Sequence, residues 1–194
     1  MKQCKILVIP NTGISKLEND FSVEKNTGEF AFELQTFGNI VTFYGQIIKE
    51  VNNIHTYKIL ENKLRIKGLN RQKNKILNYI LLYLRIIPEV FKSDFIYIFY
   101  PTSFKYVTFL CKILNKKYGL YIRGMEDMHG TVSYWIYKHS FAVFTVSDYF
   151  TSFVNKVTLE EKASTIRPML PFSEKDIISD RKYNRNKHYN ILFL

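Results

Sequence analysis

The chain has 194 residues, 46% of them hydrophobic and 23% charged. That is the length of one domain of ~150 residues plus a tail, and the composition is globular rather than disordered. The 28 basic residues against 17 acidic ones leave a formal charge of +11, which calls for an anionic partner: nucleic acid, an anionic membrane face or a phosphorylated substrate.

Residues 4–9 are apolar and β-branched and are closed by Pro10-Asn11-Thr12-Gly13, which predicts a buried strand and a turn. Residues 15–27 are polar and without a period. They predict a long loop, of the kind that carries function in a compact domain. Phe30, Leu34 and Phe37 at i, i+4, i+7 predict a helix over 29–37, with Gly28 just before it and Gly38-Asn39 as its stop. A strand is expected at 40–44, and one or two edge strands within 54–68. Residues 71–92 predict a long helix, basic at its start, which Pro88 kinks or breaks. The run 94–100 (DFIYIFY) is a strand ended by Pro101. A helix over 103–117 follows, with Ser103 as N-cap. Then come a strand at 118–122, a helix at 133–139, a strand at 141–146, a helix at 148–156 and a strand at 165–170.

Strands apolar on both faces and separated by helices mean a mostly parallel sheet covered on both sides, a doubly wound, Rossmann-like α/β fold. Ligands in such sheets sit beyond the carboxyl ends of the strands. The positions to inspect are therefore 10–13, Gly45, 101–103, 123–129, Ser147 and Arg167. Residues 179–188 read as a linker, and 189–194 (YNILFL) as the first strand of a further domain. The expected division is 1–177 and 178–194.

Two cysteines, Cys4 and Cys111, make neither a disulfide framework nor a structural zinc site, and a reducing compartment is the natural setting. After Lys2 and Lys5 the apolar run is too short for a secretory segment of about 7–15 residues. Residues 76–87, interrupted by Asn78, fall short of the ~20 that span a bilayer. A cytoplasmic chain is expected, with a peripheral seat at the inner membrane face as an option.

The densest polar group is Arg123, Glu126, Asp127 and His129, after a strand and a glycine, where a cleft gathers chemistry. A carboxylate there can orient or deprotonate a hydroxyl, and Arg123 can hold an anion by its fork. The plainer reading is a solvated loop with an ion pair worth about 0–1 kcal/mol. Gly13 and Gly28 allow close backbone approach to an anion, or are plain turns. Ser147 is an N-cap or a ligand contact. His55, His139 and His188 lack partners at catalytic spacing. Residues 71–92 either dock on an anionic membrane as a basic amphipathic helix or pack on the sheet with a solvated basic end. Nucleic-acid binding is disfavoured: Tyr and Phe fall in strand runs, and no helix-turn-helix, zinc or RNP-type signature is present.

The order and spacing of CKILVIP, DFIYIFYPTSF, YGLYIRGMEDMHG, FAVFTVSDYF and YNILFL resemble the N-terminal domain of GT-B glycosyltransferases, specifically the bacterial polysaccharide type of glycosyltransferase family four. The sequence departs from that family in three places. Single glycines, Gly13 and Gly28, stand for the usual Gly-Gly pair. Arg167-Pro168-Met169-Leu170-Pro171 replaces Pro-Asn-Gly-Val-Asp. The C-terminal domain, which in the family holds the sugar nucleotide, is missing from these 194 residues.

The resemblance implies transfer of a sugar from a nucleotide-sugar donor to a glycan or lipid-linked acceptor. It implies catalytic roles for Glu126, Asp127 and His129, and substrate-binding roles for Gly13, Gly28, Arg123 and Ser147. No metal and no resident cofactor are implied, the nucleotide sugar being a substrate. The implied partner is a separate donor-binding domain, without which the chain should not catalyse transfer. The other expectation is a non-catalytic Rossmann-like binding module or remnant, pairing with a separate subunit or a membrane surface.

Overall fold

The computed structural model describes residues 3–49, 53–126 and 128–166. In chain order the elements are β1 (Lys5–Ile9), β2 (Ile14–Lys16), β3 (Phe21–Val23), α1 (Lys25–Thr36), β4 (Ile40–Ile48), β5 (Tyr57–Lys58), β6 (Arg65–Asn70), α2 (Lys75–Lys92), β7 (Phe95–Tyr100), α3 (Val107–Ile113), β8 (Lys117–Ile122), α4 (Thr131–His139), β9 (Ala142–Thr145), α5 (Asp148–Thr158) and β10 (Ala163–Thr165).

Strands β10, β9, β8, β7, β1, β4 and β6 lie side by side in that order, and every neighbouring pair is parallel. The chain runs outward from β1 to β4 and β6, then returns through α2 to β7 on the other side of β1. The topological switch point therefore lies between β1 and β7. This is the doubly wound, Rossmann-like architecture expected from the alternation of apolar strands and helices.

Side chains alternate between two cores, as the pleat requires. In β7, Ile96, Ile98 and Tyr100 enter one core, while Tyr97 and Phe99 enter the other. The first core is roofed by α2, α3, α4 and α5 through Leu82, Ile86, Val107, Cys111, Ile136 and Val154. Burial pushes the Cys111 thiol up to about 12, so it packs as a small apolar group. The second core is roofed by α1 through Phe30, Ala31 and Leu34. Beside α1, among the described residues, the same sheet face carries an apolar groove of about 400 Å³ between Phe30, Leu34, Phe95, Tyr97 and Phe144.

Several boundaries differ from the sequence reading. Residues 15–27 are not a loop. β2 pairs with the end of β4 (Ile14↔Ile47), and β3 pairs antiparallel with β2 and β5. β6 pairs Thr42 to Ile47 of β4, overlapping the registers of both β1 and β2. Hence β1 and β2 follow one another along the same edge of β4, broken by the turn at 10–13. Three-residue strands carry too few side chains to show a period.

Helix α1 starts at Lys25, so Gly28 lies one turn inside it rather than before it. Pro88 does not break α2, which runs on to Lys92. Pro88 is exposed, on the outer side of the helix, where a carbonyl that lacks its partner can face water. The helix starts at Lys75 rather than at 71, behind the cap Asn74, whose side chain accepts from the Ile76 and Leu77 amides. Helix α3 is shorter than expected. Residues 101–106 form turns, and Asn115 takes a left-handed conformation (φ 51°) just past the helix. The expected boundary at residue 177, the strand at 189–194, His188 and Arg167 lie outside the described residues, as does most of the strand expected at 165–170.

Candidate functional site

A cleft of about 560 Å³ opens at the switch point, a volume typical of small-molecule sites. Asn11, just after β1, lines it, as do Pro101, Thr102 and Ser103, just after β7, and Glu126, beyond β8. Tyr79 and Tyr83 of α2, with Lys105 and Tyr106 ahead of α3, close its far side. The two strand ends are tied together: the Thr102 hydroxyl donates to the Pro10 carbonyl at 3.4 Å and accepts from the Phe104 amide at 3.3 Å. The Tyr83 hydroxyl donates to the Ser103 carbonyl at 2.8 Å, fixing α2 against this turn. These bonds hold the floor together, while Glu126 and Ser103 are exposed. The arrangement offers a carboxylate, an ammonium and hydroxyls between aromatic walls, a lining suited to a polyhydroxylated ligand.

A second polar cluster lies where α1 begins. Arg123, at the end of β8, donates two hydrogen bonds to the Glu24 carboxylate, at 2.6 and 2.5 Å. Both side chains are largely shielded from solvent. The Arg123 bond holds the Glu24 carboxyl below the usual carboxylate range, with burial opposing. The same bond raises the Arg123 guanidinium. Nearby, the Ser15 hydroxyl and His55 Nδ1 are hydrogen-bonded at 2.7 Å. Burial lowers His55 from its ordinary value, and the Glu24 charge only partly offsets this. Ser22 Oγ, Asn26 Oδ1, His55 Nε2 and Tyr57 Oη are buried here with no hydrogen-bond partner among the described residues.

The fold separates the charged groups that the sequence clusters between 123 and 129. Arg123 turns to Glu24, Glu126 faces the cleft, and His129 packs edge-on against Phe153 of α5 at 4.7 Å. Asp127 lies outside the described residues. Gly13 abuts β4: a Cβ there would stand 3.2 Å from the Ile48 side chain and 3.3 Å from the Gln46 carbonyl. Gly28 packs against the Tyr57 ring, where a Cβ would overlap the ring, and its amide donates to the Glu24 carbonyl at 3.0 Å. Its backbone is thus engaged within the chain. Ser147 caps α5, accepting from the Phe150 amide at 3.5 Å. His139 stacks on Trp135.

Sequence reasoning missed Glu24 and His55. Glu24 had one signal, an acid directly before what proved to be the helix start. His55 had none, because its Ser15 contact joins residues 40 positions apart.

No protein-family model matches the chain, and no curated protein is similar to it in sequence. Solved structures do match. A glycosyltransferase from Rickettsia africae ESF-5 superposes with a TM-score of 0.57 at 18% identity, covering 86% of this chain and 43% of that one. Anabaena Alr3699/HepE in complex with UDP-glucose superposes with a TM-score of 0.56 at 11% identity, covering 85% of this chain and 44% of that one. The chain therefore spans less than half the length of the proteins it matches. What it shares with them is a fold, that of one Rossmann-like half of a GT-B glycosyltransferase.

Proposed function

We propose that the chain is the acceptor-binding half of a sugar-nucleotide-dependent glycosyltransferase, with residues 1–177 forming the half and 178–194 leading into a donor-binding domain. The reading rests on one observation: the cleft lies at the switch point of the sheet and carries Glu126 at its mouth. In this account the cleft holds a glycan or a lipid-linked acceptor by its hydroxyls. Glu126 orients the reacting hydroxyl and accepts its proton as the oxygen attacks the anomeric carbon and the nucleoside diphosphate leaves. Asp127 and His129, its neighbours in sequence, are the further candidates for this role. The donor is a nucleotide sugar, UDP-glucose being the one bound to the Anabaena relative in fold. Most of its contacts come from the second domain, since Gly13, Gly28 and Ser147 are engaged within the chain.

A glycan array probed with the purified chain tests this reading. The expected result is binding to one glycan class, abolished by Ser103→Trp, which fills the cleft from an exposed position. Binding that survives the blocked cleft, or no glycan binding at all, contradicts it.

One observation favours a second reading, a non-catalytic binding module. The cation expected to hold a phosphate, Arg123, is already closed by Glu24. Absence of any glycosyl transfer by the chain with the donor-binding domain supplied would favour this second reading over the first.

A further inference from the structure

Among the described residues two charged side chains line the cleft at the switch point: Glu126 at its mouth and Lys105 on its far side. Lys105 lies in the turn between β7 and α3, where its amide donates to the Thr102 carbonyl at 3.1 Å. Its ammonium stands over the Tyr106 ring, 5.8 Å from the centroid, within the range of a cation–π contact. Tyr106 lines the cleft as well, so this contact keeps the cation at the wall. An ammonium carries three donors and can meet an anion's oxygen beside the contacts it makes within the fold.

The neighbouring wall adds charge of the same sign. Tyr79 and Tyr83 of α2 line the cleft, and Lys75 opens the same helix one turn before Tyr79. Residues spaced i, i+4 and i+8 share one face of a helix, so Lys75 heads the row that forms this wall. It is exposed, as are Arg71 and Lys73 just ahead of it. The acids of this stretch are engaged elsewhere. Glu89, about 15 Å further along the helix axis than Tyr79, pairs with Lys92 at 4.0 Å. Asp94 accepts from the Lys5 amide at 2.9 Å, at the amino edge of the sheet. Neutral hydroxyls need no ammonium, since Asn11, Ser103 and the tyrosines already offer donors and acceptors for them.

We propose that the acceptor is an acidic sugar, whose carboxylate or phosphate is held by Lys105, with Lys75 at the rim. The proposal deepens the acceptor reading and rests on it. Glu126 sets the sense of binding: it repels an anion from the mouth, so the charged end of the sugar lies at the Lys105 side and an uncharged hydroxyl comes to the carboxylate. Lys105 is then a specificity-determining residue, and the net charge of +11 draws an acidic acceptor toward the chain at long range.

A glycan array tests this with the purified chain. It carries hexuronic-acid glycans beside the same glycans with the carboxyl reduced to an alcohol, and phosphorylated glycans beside their dephosphorylated forms. The acidic member of one kind of pair should bind about tenfold or more tighter than its neutral partner, and the kind of pair that shows this separates a carboxylate from a phosphate. The advantage should shrink as salt rises from ~0.01 to ~0.15 M. Lys105→Met should abolish it while the neutral glycans bind as before, and Lys105→Arg should keep most of it. Lys75→Met, at an exposed position, should reduce it by about two- to threefold. Equal binding within both kinds of pair, or an advantage that survives Lys105→Met, would overturn the proposal and leave the acceptor reading standing. Displacement of the acidic glycan by UDP would assign the cations to the donor and overturn it too. Binding to no glycan of either kind would remove both.

Discussion

Arg123 and Glu24 show how one residue pair organises the carboxyl end of the sheet. The bidentate bond joins β8 to the start of α1, elements 99 residues apart in sequence. Removing one partner leaves the other charge half-buried. Glu24→Gln should therefore cost about 2 kcal/mol in urea unfolding, between the ~0–1 of an exposed pair and the ~3–5 of a fully buried one. Both titrating groups here give the same sign. The Glu24 value is lowered in the fold, so its contribution is complete above ~4.3 and lost as pH falls through the lower folded value. His55 is lowered too, so the fold favours its neutral form. That contribution is complete above ~6.5 and drains away as pH drops below it. Stability measured from about pH 7 to 5 should thus fall in the native chain, and His55→Gln should flatten that slope. The sequence placed Arg123 and Glu126 after a strand, where a parallel sheet exposes its functional ends. It could not pair Arg123 with Glu24, because that contact depends on where α1 docks rather than on local pattern.

At the scale of the element, the long periodic segments were the readable ones. The run at 95–100 is buried on both faces of the sheet and so reads as one apolar block, and Leu82, Ile86 and Val90 of α2 pack on the sheet and so leave a helical period. The short strands β2, β3 and β5 leave none, since their pairing comes from neighbours rather than from their own side chains. The starts of α1 and α3 shifted for a related reason: Gly28 reads as a breaker but is needed where α1 meets the Tyr57 ring. Gly28→Ala should consequently destabilise by about 1–3 kcal/mol despite the better helix propensity of alanine. Asn74→Ala, which strips the cap from α2, should cost about 1 kcal/mol. Pro88→Ala should raise the thermal midpoint. It restores a donor inside the helix, worth more than the ~0.4–1 kcal/mol by which proline restricts the unfolded chain. Thermal unfolding of the three variants checks these signs together.

For the whole molecule, the asymmetry of the two sheet faces is the informative feature. Among the described residues four helices roof one face, and α1 covers part of the other, beside the groove at Phe95, Tyr97 and Phe144. The switch point, the cleft and its polar rim follow from strand order, which the alternation of apolar runs and helices made legible. The split of the 123–129 cluster among three different neighbours did not, because each side chain follows the nearest packed element.

Amide chemical-shift mapping of the labelled chain, titrated with the glycan it binds best, tests the placement of the acceptor most directly. The account predicts shifts gathered at residues 11–13, 101–106 and 126, with the outer faces of α4 and α5 silent. Shifts gathered on those outer faces, or in the groove beneath α1 with the cleft unmoved, would contradict it.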